Sequence, residues 1–356
     1  MIKRTFTLVL FYLLFSAIPT EAQPEIKIYP ENWFTGMKNP NLQLMIHGQG
    51  IGDWQLELDK NFPGVTLKAI HHVKNPNYLF ADLVIQPEAR PGILKLLFRN
   101  RESRMKRDYP LLGKKAGNGT RYATGIHAGD LIYLIMPDRF SNGDTANDRF
   151  DDLRDTICDR NNPLARHGGD LQGVIDHLDY IRNLGATAIW LCPLIANDMP
   201  PQKEPSGMLS GYHGYWFTDH YQIDKRFGGK AAYLRFVQAA HAKGLKVIQD
   251  AVYNHIGETH WWMNDLPTDD WINRWPVYQG TSHREEALFD PHGSAKDKKI
   301  MEAGWFVPHL PDLNLKNKRL AIFLIQNAIW MTETFQIDGW RVDTYKYGYE
   351  HFLNQL

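Results

Sequence analysis

Two cysteines in 356 residues exclude a disulfide framework. Cys192 lies inside the apolar run Ala188 to Leu194 and Cys158 in a polar stretch, so free or buried thiols are expected, although an oxidising compartment allows one bridge. Neither sign of charge is in excess: Lys plus Arg and Asp plus Glu each number 40, which excludes a global field that would gather nucleic acid or an anionic membrane. A neutral substrate follows. The apolar run from Phe6 to Ile18 is too short to read as a spanning helix. Lys3 and Arg4 precede it and Thr20-Glu21-Ala22 ends it, so residues 1–22 have the charged start, short apolar core and small-residue end of a secretory signal peptide. No cysteine follows that run, so no lipoprotein anchor is indicated. The expected location is periplasmic or secreted.

What is present is ordinary globular material, 43% hydrophobic and 22% charged, at a length that implies two or three domains. From 23 to about 118, short apolar or alternating runs (Leu42 to Ile46, Trp54 to Leu58, Tyr78 to Ile85, Ile93 to Phe98) are separated by Gly, Pro, Asn and Asp, the punctuation of a β-sandwich. Arg99 to Arg107 reads as a solvated basic edge, and Trp33, Trp54 and Tyr78 as core or interface residues. Lys114 to Gly119 reads as a linker.

Beyond it strand and helix alternate. Strands are expected in Leu131 to Met136, Ala186 to Leu191, Leu245 to Val252 and from Ile337. Helices are expected over Leu171 to Leu184 (Val174, Leu178, Ile181 and Leu184 on one face), at Tyr233, Phe236, Val237 and Ala240, and at Leu320, Leu324, Ala328 and Met331. Such a repeat builds a parallel sheet with right-handed crossovers, and the polar candidates fall just past strand ends. In Ile337 to Tyr347, Arg341 and Asp343 are two apart and project together at the end of a strand. A guanidinium there favours the charged carboxylate and fixes its orientation, as attack on an electrophilic carbon requires; a structural ion pair is the alternative.

After the first strand, Asn142, Asp144, Asn147 and Asp148 offer hard oxygen ligands in a glycine-containing turn, and Gly168-Gly169-Asp170 adds a carbonyl and a carboxylate. Calcium favours such a set. Turn chemistry explains the same residues, and a helix N-cap explains Asp170.

Four segments taken in order carry a resemblance: Tyr212-His213-Gly214-Tyr215-Trp216, Asp250-Ala251-Val252-Tyr253-Asn254-His255, Leu310-Pro311-Asp312-Leu313-Asn314 and Ile337 to Tyr347. They resemble the conserved regions of the α-amylase family, glycoside hydrolase family 13, and Leu310 to Asn314 is similar to the form in its neopullulanase and cyclomaltodextrinase branch. The resemblance implies a (β/α)8 barrel after an N-terminal β-sandwich, and retaining hydrolysis of α-glucosidic bonds in starch-type glucans, pullulan or cyclodextrins. A glucosyltransferase or isomerase of the same family, or a non-catalytic glucan-binding protein, is the alternative. By resemblance Asp343 is the nucleophile and Arg341 orients it. Tyr215 lies under the sugar ring, flanked by His213 and Trp216. Asp250 and His255 complete the pocket, and Lys346 and Tyr347 lie toward the leaving group. The turn after the first strand resembles a structural Ca2+ site of that branch, residues 256–316 a small protruding domain over the cleft, and a homodimer is possible as in that branch. The aromatic content of 12%, with 11 Trp and 16 Tyr, suits sugar stacking as well as a large core.

Only four strands can be counted, so the expectation is the first half of the barrel and the N-terminal part of a longer protein, a natural 356-residue product being the alternative. The family's general acid belongs on a later strand. Neither Glu333 nor Glu350 is assigned to that role.

Overall fold

The computed structural model describes residues 25–356; the segment read as a signal peptide lies outside the described residues. The first eight strands are β1 (Lys27–Tyr29), β2 (Trp33–Thr35), β3 (Asn41–His47), β4 (Gln55–Leu58), β5 (Val65–His72), β6 (Tyr78–Ile85), β7 (Gly92–Arg99) and β8 (Arg104–Gly113). They form two four-stranded sheets, ordered β1-β3-β6-β5 and β2-β8-β7-β4. Alternation explains the sandwich: Leu94, Leu96 and Phe98 of β7 point inward, and so do Met105, Tyr109 and Leu111 of the antiparallel β8. The basic stretch is therefore not merely an edge. Its second half is a strand whose outward Arg104, Lys106 and Asp108 hide a period-2 pattern. Trp33, Trp54 and Tyr78 are all buried.

The rest of the chain continues with β9 (Ile132–Ile135), α1 (Pro137–Phe140), α2 (Leu171–Asp176), α3 (Leu178–Asn183) and β10 (Ala188–Leu191). Short strands follow at β11 (Ile195–Ala196), β12 (Gln202–Glu204), β13 (Gly207–Leu209) and β14 (Asp219–Ile223), then α4 (Gly229–Ala242) and β15 (Lys246–Ala251). The long excursion carries α5 (Glu286–Phe289) and α6 (Ala295–Ala303) and leads to α7 (Lys318–Phe335), β16 (Gly339–Val342) and α8 (Glu350–Gln355). The four expected strands form one parallel sheet in the order β16-β15-β10-β9. Among the described residues β9 has no outer neighbour, which leaves Leu131, Ile132 and Leu134 exposed.

One expected helix is two. The segment Leu171 to Leu184 breaks at His177, whose ring bonds back to the Gly173 carbonyl at 2.8 Å; the expected Val174, Leu178 and Ile181 are still buried across the break, while Leu184, which caps the end of α3, is exposed. By contrast α4 buries Tyr233, Phe236, Val237 and Ala240 as one face.

Helix α7 buries the expected Leu320, Leu324, Ala328 and Met331, but also Phe323, Gln326, Asn327, Trp330 and Glu333. It is covered on both sides because the sandwich docks on its back. Gln43 N–H donates to Gln326 Oε1 (2.8 Å) and Gln326 Nε2 donates back to the Gln43 carbonyl (2.7 Å), so the helix side chain pairs with β3 as a neighbouring strand would. Trp330 Nε1 donates to Asn32 Oδ1 at 3.0 Å. The linker is fastened to the same helix: Asn118 Nδ2 and the Tyr122 hydroxyl donate to Glu333 at 2.9 and 2.7 Å. Both cysteines are free, and among the described residues no helix is long and apolar enough to cross a membrane.

Candidate active site

Strands β15 and β16 pair in register with Asp250 opposite Arg341. Asp343 comes one residue after β16 ends; its N–H donates to the Ala251 carbonyl at 2.8 Å, and Thr344 then takes a left-handed conformation at φ 49° that turns the chain away. Arg341 Nη1 stands 3.1 and 3.2 Å from the two Asp250 oxygens and 2.6 Å from Asp343 Oδ1. One arginine therefore joins two carboxylates. Asp250 is wholly buried, while the Asp343 side chain keeps 16% of its surface, enough for a ligand to meet it.

Asp250 is held by two further donors, the Tyr215 hydroxyl and Trp190 Nε1, each 2.9 Å from Oδ2. Burial pushes its carboxyl up to about 6, against the opposing pull of Arg341, Trp190 and Tyr215. Trp190 was missed in the sequence. It sits in a continuous apolar run, where nothing local distinguishes a core tryptophan from a donor.

The loop after β10 folds so that His213 Nδ1 accepts the Tyr215 N–H at 3.0 Å and meets the Trp216 ring edge-on at 4.7 Å. Trp216 is itself buried, against Met199 and Leu310. Burial, with the Arg166 charge second, lowers the His213 imidazole to about 3, and burial lowers His255 to about 4, so both rings are neutral near pH 7. His255 Nε2 is buried without a hydrogen-bond partner.

Asn254 bridges to the excursion: its Nδ2 donates to Asp312 Oδ1 at 3.1 Å, Asn273 Nδ2 donates to Asp312 Oδ2 at 2.7 Å, and Leu313 N–H donates to the Asn254 carbonyl at 2.8 Å. Burial pushes the Asp312 carboxyl well up. Lys346 and Tyr347 are drawn to the same excursion, Lys346 to Glu285 at 3.1 Å and the Tyr347 hydroxyl to His283 Nδ1 at 2.9 Å. Glu333 lies buried on α7 with its linker partners, and Glu350 is exposed at the start of α8. Among the described residues, no glutamate is a hydrogen-bond or ion-pair partner of Asp343, Arg341 or Asp250.

In the turn after β9, Asn142 Oδ1 and Asn147 Oδ1 are buried without partners, and a Cβ on Gly168 would come within 2.6 Å of Asp148 Oδ1. Burial, then the charges of Asp170 and Asp144, raise the Asp148 carboxyl against its bond from Asn142 Nδ2. Unpaired hard oxygens around a crowded carboxylate fit a hard cation. Asp170 fits less well: its two oxygens already accept Gly143, Asp144 and Gly173 N–H and Asn147 Nδ2. It caps α2 through Gly173.

The family model described as "Alpha amylase, catalytic domain" matches residues 134–353, and "Cyclomaltodextrinase, N-terminal" matches residues 27–115. The chain belongs to the alpha-amylase family. Within it, the chain is 30% identical over 257 residues to a cyclomaltodextrinase of Thermoanaerobacter pseudethanolicus, covering 70% of this chain and 39% of that protein. It is 33% identical over 223 residues to neopullulanase 2 of Thermoactinomyces vulgaris, covering 60% and 33%. Among solved structures, an Anoxybacillus alpha-amylase superposes with a TM-score of 0.51 at 37% identity, covering 64% of this chain and 43% of that one. This alpha-amylase family chain thus spans less than half the length of each of these relatives. The order of a cyclomaltodextrinase N-terminal domain followed by the catalytic domain agrees with the neopullulanase-like branch.

Proposed function

We propose that the intact protein carrying this chain is a retaining glycoside hydrolase that cleaves α-glucosidic bonds in starch-type glucans, pullulan or cyclodextrins. The observation that carries the reading is the Asp250–Arg341–Asp343 bridge, which aims a partly accessible carboxylate from a strand end while a fully buried one anchors the arginine. Asp343 attacks the anomeric carbon and the glycosyl-oxygen bond breaks, giving a covalent glycosyl-enzyme; a separate carboxylic acid protonates the leaving oxygen and later deprotonates the water that releases the sugar. Tyr215 supplies a ring face for the sugar, and neutral His255 donates to or accepts from a hydroxyl. The names of the relatives, cyclomaltodextrinase and neopullulanase, support the choice of glucan.

Two further expectations belong to the proposal. The protein is exported after loss of residues 1–22, and Asn142, Asp144, Asn147, Asp148 and the Gly168 carbonyl, with Asp170 less favoured, hold a structural Ca2+ that ties the turn after β9 to the loop before α2.

The test uses the intact protein from its source, incubated with soluble starch, pullulan and β-cyclodextrin while new reducing ends are counted. Hydrolysis by the wild type and its loss by at least about a thousandfold in Asp343→Asn is the expected result. An undiminished rate in Asp343→Asn refutes the nucleophile. Glucan binding without any hydrolysis by the wild type establishes the binding-protein alternative instead.

A further inference from the structure

Trp190 has no part in the bond cleavage just described, yet the site is assembled around it. It is the third residue of β10, in register with Ile248 of β15, two residues before Asp250. Its Nε1 donates to Asp250 Oδ2 at 2.9 Å, and the Arg341 guanidinium carbon lies 5.0 Å from its ring centroid. Asp250 has no exposed side-chain surface, so water cannot replace a donor that is lost.

The sharing of Arg341 gives that contact a consequence. Nη1 divides itself between both oxygens of Asp250 and one of Asp343. A carboxylate free to rotate about its Cβ–Cγ bond would take the guanidinium as a two-pronged pair and withdraw Nη1 from Asp343. Rotation is opposed by the donors on Oδ2, of which the indole is the stiffest. Trp190 is set in a strand between two others, whereas Tyr215 comes from a loop.

We propose that Trp190 is a positioning residue, whose N–H and ring face hold Asp250 and Arg341 in the one arrangement that lets Arg341 reach Asp343. The inference rests on Asp343 being the nucleophile. The other groups facing Asp250 are Arg341 from β16, with Asp343 beyond it, and Tyr215 from the loop, whose hydroxyl lies 3.9 Å from the Cys192 sulfur.

The variant Trp190→Phe keeps a ring face and deletes the N–H. In the intact enzyme acting on β-cyclodextrin, kcat is expected to fall about tenfold with KM changed less than about twofold. The acid limb of kcat/KM moves to higher pH, since a donor to ionised Asp250 is gone. Unchanged kcat and an unmoved acid limb overturn the proposal. A second measurement needs no activity: in this chain, the Trp190 indole N–H resonance, identified by its loss in Trp190→Phe, shifts with a midpoint near the about 6 of Asp250 and stops shifting in Asp250→Asn. A resonance at the same chemical shift in the wild type and in Asp250→Asn overturns the proposal even if hydrolysis is seen, since an indole bonded to Asp250 Oδ2 at 2.9 Å must sense that change. If the wild type cleaves no glucan, the hydrolase reading alone has failed, and the resonance still decides whether Trp190 holds Asp250.

Discussion

Arg341 Nη1 lies 2.6 Å from Asp343 Oδ1 and 3.1 Å from Asp250 Oδ1, so one nitrogen serves a carboxylate that a ligand can reach and another that solvent cannot. The buried member anchors the arginine, and the partly accessible member is the one the proposed chemistry uses. That division of labour fixes what each substitution should do.

Arg341→Met leaves Asp250 as a buried carboxylate without its cation, and is expected to destabilise the chain by about 3 kcal/mol in urea unfolding. Adding Asp250→Asn to that variant removes the stranded charge and should recover most of the loss. Equal stability in the single and double variants would show that Asp250 does not depend on Arg341.

Activity should fall on acidification before the fold does. The Asp250 carboxyl, at about 6, binds its proton more tightly in the folded chain than in the unfolded one, where an aspartate titrates near about 4. Its contribution to stability is therefore full below about pH 4 and lost as pH rises through about 6. Its pairing with Arg341 needs the ionised form. In the intact enzyme kcat/KM is expected to decline below about pH 6 while the circular-dichroism signal is retained, and simultaneous loss of both would contradict this.

The buried histidines carry the opposite sign. Burial lowers His213 and His220 to about 3 and His255 to about 4, so they stabilise the fold fully above the about 6.5 of an unfolded histidine and cease to as pH falls through those values. A thermal midpoint that drops between about pH 6.5 and 4 is expected. His220 is packed against Trp262 and Phe323, and His220→Phe should flatten that slope.

Gln326→Ala removes two hydrogen bonds and strands the N–H and carbonyl of Gln43 between β3 and α7. A loss of about 2 to 3 kcal/mol in urea unfolding is expected, because buried backbone groups left unpaired lose their whole solvation. A change under about 0.5 kcal/mol would mean that water enters the junction.

Calcium should raise the thermal midpoint of the chain and a chelator should reverse the rise, with about 3 kcal/mol gained at a hundredfold excess over Kd. Asp148→Ala should abolish the increment. An increment that survives in that variant would move the cation away from the turn after β9.

Much of this architecture could be read before any coordinates. All four parallel strands and the inward face of α4 were legible because a strand or helix facing one core repeats its apolar residues at a local period. Strand β8 escaped because outward charges masked its alternation. The break at His177 escaped because it depends on one side-chain bond to the Gly173 carbonyl rather than on a proline or glycine. Glu333, left without a role in the sequence, is tied to Asn118 and Tyr122, a pairing no local pattern encodes.

By itself the sequence determined which side chains stand at strand ends, Asp250, Arg341 and Asp343 among them, since strand position follows from neighbours a few residues away. Tertiary structure alone decided that Trp190 bonds Asp250 across 60 residues, that Asp312 clamps Asn254, and that Gln43 meets Gln326 across 283. Those contacts arise when separate elements pack, and no local periodicity encodes which polar atoms packing will bring within 3 Å of each other.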